Sequence, residues 1–337
     1  MADITAVVQQ EDAFGALVYG ETGTGKSSLA SHLYEHCRDG VLPFLVTCAP
    51  ALSSTEYGAL SPFLTSATAS DMASPLTVLR AVLAFFRSEA APGRKVLVIV
   101  DDAHLLDDSS SHLLAQLVTS RRVTVVAFAR PLAPSSDELV SLSRDGLLER
   151  FDVGPFDYEE ALELCGLTLG GNVARGASDR LRDEASGNPL FLKAMLNAAL
   201  AGGQLTRSGG VWTLAHGELP IPDSLTDLVR SVVLDLGDEE RTVLDVLSLG
   251  DVVSFADLVR VGGESAVSDL LARSLIRTHP TAPAYAVHVH ALFGRIIRAQ
   301  VPVGRSIMLR SLVGQVGQPL RPPPARARIR SALWGFQ

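Results

Sequence analysis

Eight residues, Gly20-Glu21-Thr22-Gly23-Thr24-Gly25-Lys26-Ser27, constrain this chain more than any other stretch. They complete the pattern GxxxxGK[ST], follow the apolar run 16–19, and open a helical pattern over 27–37. Glycines at 20, 23 and 25 let the backbone adopt turns that a Cβ would resist. Such a turn between a buried strand and a helix aims backbone N–H groups and the positive end of the helix dipole at one point. A phosphate chain suits that point. Lys26 would then reach the β- and γ-phosphates, and the Ser27 hydroxyl would ligate Mg²⁺. Gly20, Glu21, Thr22, Gly23, Thr24, Gly25, Lys26, Ser27 and Ser28 are the candidate contacts to the phosphates.

A strand feeding a phosphate loop and helix belongs in an α/β sheet, and the neighbouring sequence agrees. The runs 16–19, 44–48, 96–100, 123–129 and, more weakly, 150–153 are continuously apolar rather than alternating. Strands of that kind are buried on both faces, which implies a parallel sheet covered by helices. Helical patterns over 27–37, 76–88 and 109–120 supply the crossovers. The run 96–100 ends in Asp101-Asp102. Carboxylates at the end of a buried strand lie where open α/β sheets bind ligands. Asp101 is the candidate for holding Mg²⁺ through water, and Asp102 for polarising the water that attacks the γ-phosphate.

Past residue 155 the pattern changes. Asp157 and Glu160 form a capping-box start for a helix to about 169, followed by helical stretches 177–185 and 190–200 and a small hairpin over 204–214. A third region starts at Pro220-Ile221-Pro222. It has helical patterns over 225–236, 240–249, 255–261 and 266–274, then strand candidates at 276–278 and 285–288. The expected domains are therefore 1–155 for the nucleotide, 156–218 as a helical lid with a hairpin, 219–300 as a winged helix, and 301–337 as an Arg/Pro-rich tail.

The charge is uneven. The whole chain has 29 basic and 37 acidic residues, but residues 1–269 carry a net −18 and residues 270–337 carry +10 from arginine alone. An acidic total argues against a nucleic-acid binder over its whole surface. Three cysteines in 337 residues make no disulfide framework, and none has zinc spacing. Residues 1–10 show no basic start and no apolar core of a leader, and no run is long enough to span a bilayer, so a cytoplasmic location is expected.

The segment Asp101-Asp102-Ala103-His104-Leu105-Leu106-Asp107 resembles the "DDxHxxD" stretch of STAND-class P-loop NTPases, and more narrowly the N-terminal ATPase region of large LuxR-type bacterial transcriptional regulators. Val126-Ala127-Phe128-Ala129-Arg130 is similar to the strand that ends in a sensor arginine. Val153-Gly154-Pro155-Phe156, Glu184-Ala185-Ser186-Gly187-Asn188-Pro189-Leu190-Phe191 and Ile221-Pro222-Asp223-Ser224-Leu225 resemble the family's lid entry, "SGGNPLF" motif and winged-helix start. The resemblance spans about residues 10–315. It implies an AAA-like parallel sheet followed by a lid and a winged helix, with ATP or ADP and Mg²⁺ as ligands. It further implies that Arg130 contacts the γ-phosphate, Pro189 presses on the adenine, and His290 meets the β-phosphate of ADP. His104 reads as a packing or supporting residue.

Two departures stand out. Ala291 replaces the Asp that some relatives carry after the histidine, and no "GR" segment is visible in residues 1–10. The sequence also stops before the helical repeats and helix-turn-helix of the large regulators. An ATP/ADP switch that hydrolyses slowly is the leading expectation. An AAA+-type oligomeric ATPase and a regulator that only binds ATP are the alternatives. Direct DNA binding is not expected, and ATP-dependent self-association stays open. The tail arginines, Arg326, Arg328 and Arg330 among them, fit contacts to the acidic portion or the first turns of a helical arm.

Overall fold

The structure is a computed structural model. It describes residues 2–314 apart from 11–12, 39, 66, 69–71, 73, 92, 132–136 and 218. The tail 315–337, with Arg326, Arg328 and Arg330, lies outside the described residues. The chain divides into two compact units, 1–154 and 155–337.

The first unit contains α1 (Ala2–Gln9), β1 (Gly15–Gly20), α2 (Lys26–His36), β2 (Val41–Thr47), α3 (Pro75–Glu89), β3 (Lys95–Asp101), α4 (Asp108–Thr119), β4 (Thr124–Ala129), α5 (Asp137–Arg144) and β5 (Glu149–Val153). The strands form one five-stranded sheet in the order β2-β3-β4-β1-β5, with every neighbouring pair parallel. Side chains alternate between the two faces of a strand, and the burial follows that period. Val96, Val98 and Val100 of β3 pack with Val125 and Ala127 of β4 against α3, α4 and α5. Leu97 and Ile99 pack with Val126 and Phe128 against α1 and α2. Both sets are buried, which is why these strands are apolar without a break. Fully burying a side chain such as Ile99 or Phe128 contributes about 1.5–3 kcal/mol.

At the start of β1, a Cβ on Gly15 would sit 1.8 Å from the Val125 carbonyl oxygen. Glycine at 15 therefore lets β1 pair with β4.

The second unit contains α6 (Tyr158–Leu169), β6 (Asn172–Val173), α7 (Arg175–Glu184), α8 (Pro189–Ala201), β7 (Leu205–Ser208), β8 (Val211–Leu214), α9 (Asp223–Leu234), α10 (Asp238–Gly250), β9 (Val252–Ser254), α11 (Phe255–Ala272), β10 (Ile276–His279), β11 (Ala282–His288), α12 (Ala291–Gln300) and α13 (Val303–Gly314). Two small sheets form, β6-β8-β7 and β10-β11-β9. One apolar cluster runs from Ala161 to Leu309, so the helices before and after the hairpin share a core. The Asp157–Glu160 capping box is present with both of its reciprocal bonds.

Several elements differ from the sequence reading. α1, α5, β9 and α12 have no counterpart in the sequence reading, while α13 lies in the 301–337 segment, for which the first turns of a helical arm are one expectation. The helical patterns 255–261 and 266–274 fall in α11 on either side of Gly263, whose φ of +82° and ψ of +162° break the helical geometry between them. Its neighbour Gly262 lies against α10, where a Cβ would come within 2.2 Å of Val243 Cγ2. The glycine pair thus serves a close helix crossing and a kink. No described helix is long and apolar enough to cross a membrane.

Candidate functional site

A parallel sheet brings the C-terminal ends of all its strands to one edge. In this strand order β4 lies between β1 and β3. The ends of β1, β4 and β3 carry, in that spatial order, the Gly20–Gly25 turn, Arg130 and Asp101-Asp102.

The turn has the conformation its glycines permit, with Gly23 at φ +83° and Gly25 at +94°. Thr24 closes it by donating through N–H and Oγ1 to the Glu21 carbonyl, the latter at 2.8 Å. Gly20 packs under that hydroxyl, since a Cβ there would meet Thr24 Oγ1 at 2.6 Å. Gly25 sits at the N-cap of α2, and no side chain caps the helix. Its first N–H groups are therefore left for a ligand or solvent. A Cβ at Gly25 would meet nothing within 4 Å, so the turn is an open cradle.

Lys26 is buried and folds back on this cradle. Its Nζ donates to the Gly20 carbonyl at 2.8 Å and the Glu21 carbonyl at 2.9 Å. Burial lowers its pKa and Arg130 adds to that, while Asp102, Asp101 and Glu21 act in the opposite sense. Ser27 and Ser28 are exposed on the first turn of α2.

Asp101 is 8% exposed, and its Oδ1 accepts the Asp102 N–H at 3.0 Å. Asp102 has φ +53°, a left-handed conformation unusual for a residue with a Cβ. Strain of this kind at the sheet edge is common in functional turns. His104 Nδ1 lies 3.8 Å from Asp102 Oδ1. Burial first, then Arg130 and Lys26, pull the His104 pKa down to about 4, against the pull of Asp102. The ring is therefore neutral at neutral pH, and its buried Nδ1 has no hydrogen-bond partner among the described residues. The Arg130 guanidinium likewise makes no hydrogen bond or ion pair among them. Lys26, Asp101, Asp102, His104 and Arg130 thus form one electrostatic group.

Sequence reasoning gave no role to Asp107. It is buried and accepts four hydrogen bonds, from the N–H groups of Tyr57 (3.0 Å), Ala59 (3.2 Å) and Ser110 (2.8 Å) and from Ser110 Oγ (2.6 Å). It caps α4 and ties the 57–59 segment to the turn that follows Asp102. The Asp-x-x-Ser spacing is a cap signal that sequence alone contains. The long-range bonds to 57 and 59 are not.

Pro189 and His290 belong to the second unit. Asn188 caps α8 by accepting from the Leu190 and Phe191 N–H groups, with Pro189 at the first helical position. With Oδ1 so used, the Asn188 amide nitrogen faces His290 Nε2 at 3.3 Å. Nε2 is then the acceptor, and the neutral ring carries its proton on Nδ1. That Nδ1 is buried with no partner among the described residues. Burial, aided by Arg277, brings the His290 pKa down to about 4. Two arginines of α7 are engaged within this unit. Arg180 donates to the Ala215 and Gly217 carbonyls, and Arg182 to the Phe156 carbonyl.

The donor set suits Mg²⁺, because the Ser27 hydroxyl and the Asp101 and Asp102 carboxylates are hard oxygen ligands beside an open phosphate cradle. Among the described residues no group of three or more His, Cys, Asp or Glu could hold a metal ion. An ion here would share its coordination with phosphate oxygens and water.

Residues 4–128 match the family model described as an AAA ATPase domain. Among curated proteins no sequence matches the chain. Among solved structures it is similar to the Walker-type ATPase of Pyrococcus abyssi, at 14% identity, 88% of this chain, 95% of that one and a TM-score of 0.60. The ORC2 protein of Aeropyrum pernix, solved as ADPNP–ADP complexes, matches at 12% identity over 93% of this chain and 91% of that one, with a TM-score of 0.49. The ORC1 protein of the same organism, solved in complex with DNA, matches at 15% identity, 91% and 92% coverage, and 0.49. The first unit has the α/β fold of P-loop NTPases, built on a five-stranded parallel sheet, and its sequence is similar to an AAA ATPase domain.

Proposed function

We propose that this chain is an ATP-binding switch, a STAND-class P-loop NTPase module akin to the ATPase region of large LuxR-type regulators, which binds Mg²⁺-ATP and hydrolyses it slowly. The observation that carries the reading is the gathering of Lys26, Arg130, Asp101 and Asp102 at the ends of three adjacent strands, beside an uncapped helix N-terminus. Lys26 exchanges its two carbonyl partners for the β- and γ-phosphates. Ser27 and, through water, Asp101 hold Mg²⁺, which neutralises phosphate charge when bound. Asp102 orients the attacking water. Arg130, with a planar fork of donors, reads the γ-phosphate that distinguishes ATP from ADP.

In this reading α9–α11 with β9–β11 form a winged helix, and residues 156–218 form the lid. Pro189 serves the adenine. The unpartnered Nδ1–H of His290 supports its assigned place on a phosphate, because a phosphate oxygen is the acceptor it lacks. The acidic stretch Asp235, Asp238, Glu239 and Glu240 repels nucleic-acid phosphates, so DNA is not a direct ligand. A second reading, an oligomeric AAA+-type ATPase, is favoured by the match of residues 4–128 to an AAA ATPase domain.

Purification, identification of the nucleotide released on denaturation, and turnover and size measured with and without ATP decide between them. Retained ADP with turnover far below about 1 s⁻¹, the low end for ordinary enzymes, supports the switch. Brisk turnover by a stable ring supports the second reading and overturns the first. Lys26→Ala abolishes nucleotide retention in either case. Retention by that variant would refute the phosphate loop itself.

A further inference from the structure

The sheet has a second edge, where β1, β3 and β4 begin. Around those beginnings lies a cavity of about 530 Å³, within the size range of small-molecule sites. Its apolar floor comes from Phe14, Phe86, Val96 and Val123, and its rim carries Arg87, Arg94, Lys95, Arg121 and Arg122. These are five of the eleven Lys and Arg residues in positions 1–154, a stretch that also holds eighteen acids. No Asp or Glu lines the cavity among the described residues. Glu11 and Asp12, just before Ala13 in sequence, lie outside them.

Backbone carbonyls hold Arg94 and Lys95 in place while leaving their charge intact. Arg94 donates to the Arg38 and Val41 carbonyls, and Lys95 Nζ to the Gln10 carbonyl at 2.8 Å. The Arg121 guanidinium lies over the Phe14 ring, 4.5 Å from its centroid. Arg87 and Arg122 are exposed, and their side chains have no hydrogen-bond or ion-pair partner among the described residues. The turn from α4 to β4 holds Arg121 at φ +54°, a position that usually favours Gly or Asn. Like charges converging on one hollow raise one another's energy unless an anion joins them. Arginine forks favour phosphate as that anion. A concave apolar floor favours a compact ligand with a greasy body over an extended polyanion.

We propose that this cavity binds a small phosphomonoester with an apolar body, independently of the ATP reading, since its residues lie at the edge opposite the phosphate loop.

The test is calorimetric titration of the full chain with 1-naphthyl phosphate, inorganic phosphate and a short DNA duplex. It is run on the wild type and on Lys26→Ala, which disables the phosphate loop. Naphthyl phosphate should bind Lys26→Ala saturably at one site, at least tenfold more tightly than inorganic phosphate. Adding Arg87→Ala and Arg122→Ala should weaken it about tenfold or more. The melting temperature should stay within a degree or two, because both side chains are exposed and unpartnered. The proposal is overturned by binding that disappears with Lys26 alone, by binding indifferent to both arginines, by no saturable binding, or by a duplex that uses these arginines and displaces the phosphomonoester.

Discussion

Replacing Asp107 tests how the acidic turn is held in place. Asp107→Ala removes the acceptor of three buried backbone N–H groups, at Tyr57, Ala59 and Ser110, and of one buried hydroxyl. A helix cap alone is worth about 1 kcal/mol. Each buried donor left without a partner costs about 1–3 kcal/mol. With partial relaxation of the 57–59 segment the loss should be about 4 kcal/mol, or about 10 °C in the melting temperature of a unit of some 150 residues. Asp107→Asn separates the two oxygens. Oδ1, which serves Tyr57 and Ser110 N–H, survives. The amide nitrogen replacing Oδ2 confronts the Ala59 N–H, donor against donor, while the Ser110 hydroxyl can turn to accept. About half the loss should return. Calorimetry gives the total, and hydrogen exchange at the Tyr57 and Ala59 amides localises it, with both amides unprotected in the alanine variant and Ala59 the weaker in the asparagine variant. A loss under about 1 kcal/mol in Asp107→Ala, or equal losses in the two variants, would refute the clamp.

Three further outcomes are expected. Arg130→Ala should cost roughly tenfold or more in ATP affinity and little in ADP affinity, read by competition binding, because one charge-assisted contact to the γ-phosphate is worth about 1.5–3 kcal/mol. An unchanged ATP/ADP ratio would remove the sensing role. Burial holds the His288 pKa down at about 3, so the unfolded chain takes up a proton near the ordinary 6.5 that the folded chain refuses. The contribution is present above pH 6.5 and is lost at about 1.4 kcal/mol per pH unit as pH falls toward 3. In His288→Gln the denaturation free energy should therefore fall less steeply with acid by about that amount. Gly15→Ala should give insoluble protein, because the added Cβ overlaps the Val125 carbonyl oxygen and β1 cannot pair with β4. Soluble, nucleotide-binding Gly15→Ala would mean that the two strands pair differently.

The strands of the first unit can be read from the chain because burial on both faces leaves a local mark, an unbroken apolar run. The phosphate loop is equally local, since its glycines, lysine and serine are consecutive. What escaped is non-local. α1 is short, and it is held by Ile4 and Val8 packing on the sheet. β9 has three residues, too few for a period, and exists because β11 lies beside it. The break between the helical patterns 255–261 and 266–274 is legible, and Gly263 leaves helical geometry there, but the close approach of Gly262 to Val243 of α10 is set by tertiary packing. The five cations at the far edge are scattered between positions 87 and 122, and only strand pairing assembles them.

Strand order is the part of the site that no local pattern encodes, and it sets the spacing of the chemistry. Neighbouring strands lie about 4.8 Å apart. Had β3 paired directly with β1, the phosphate loop and Asp101 would stand only one spacing apart. With β4 inserted, the separation is about two spacings, near 10 Å. The same insertion places Arg130, at the end of the intervening strand, over the gap. On the proposed reading, a residue that looks like an ordinary strand-end arginine in sequence would be the one that registers what lies between Lys26 and Asp101. This is also why Lys26 and His104, seventy-eight positions apart, both feel the Arg130 charge.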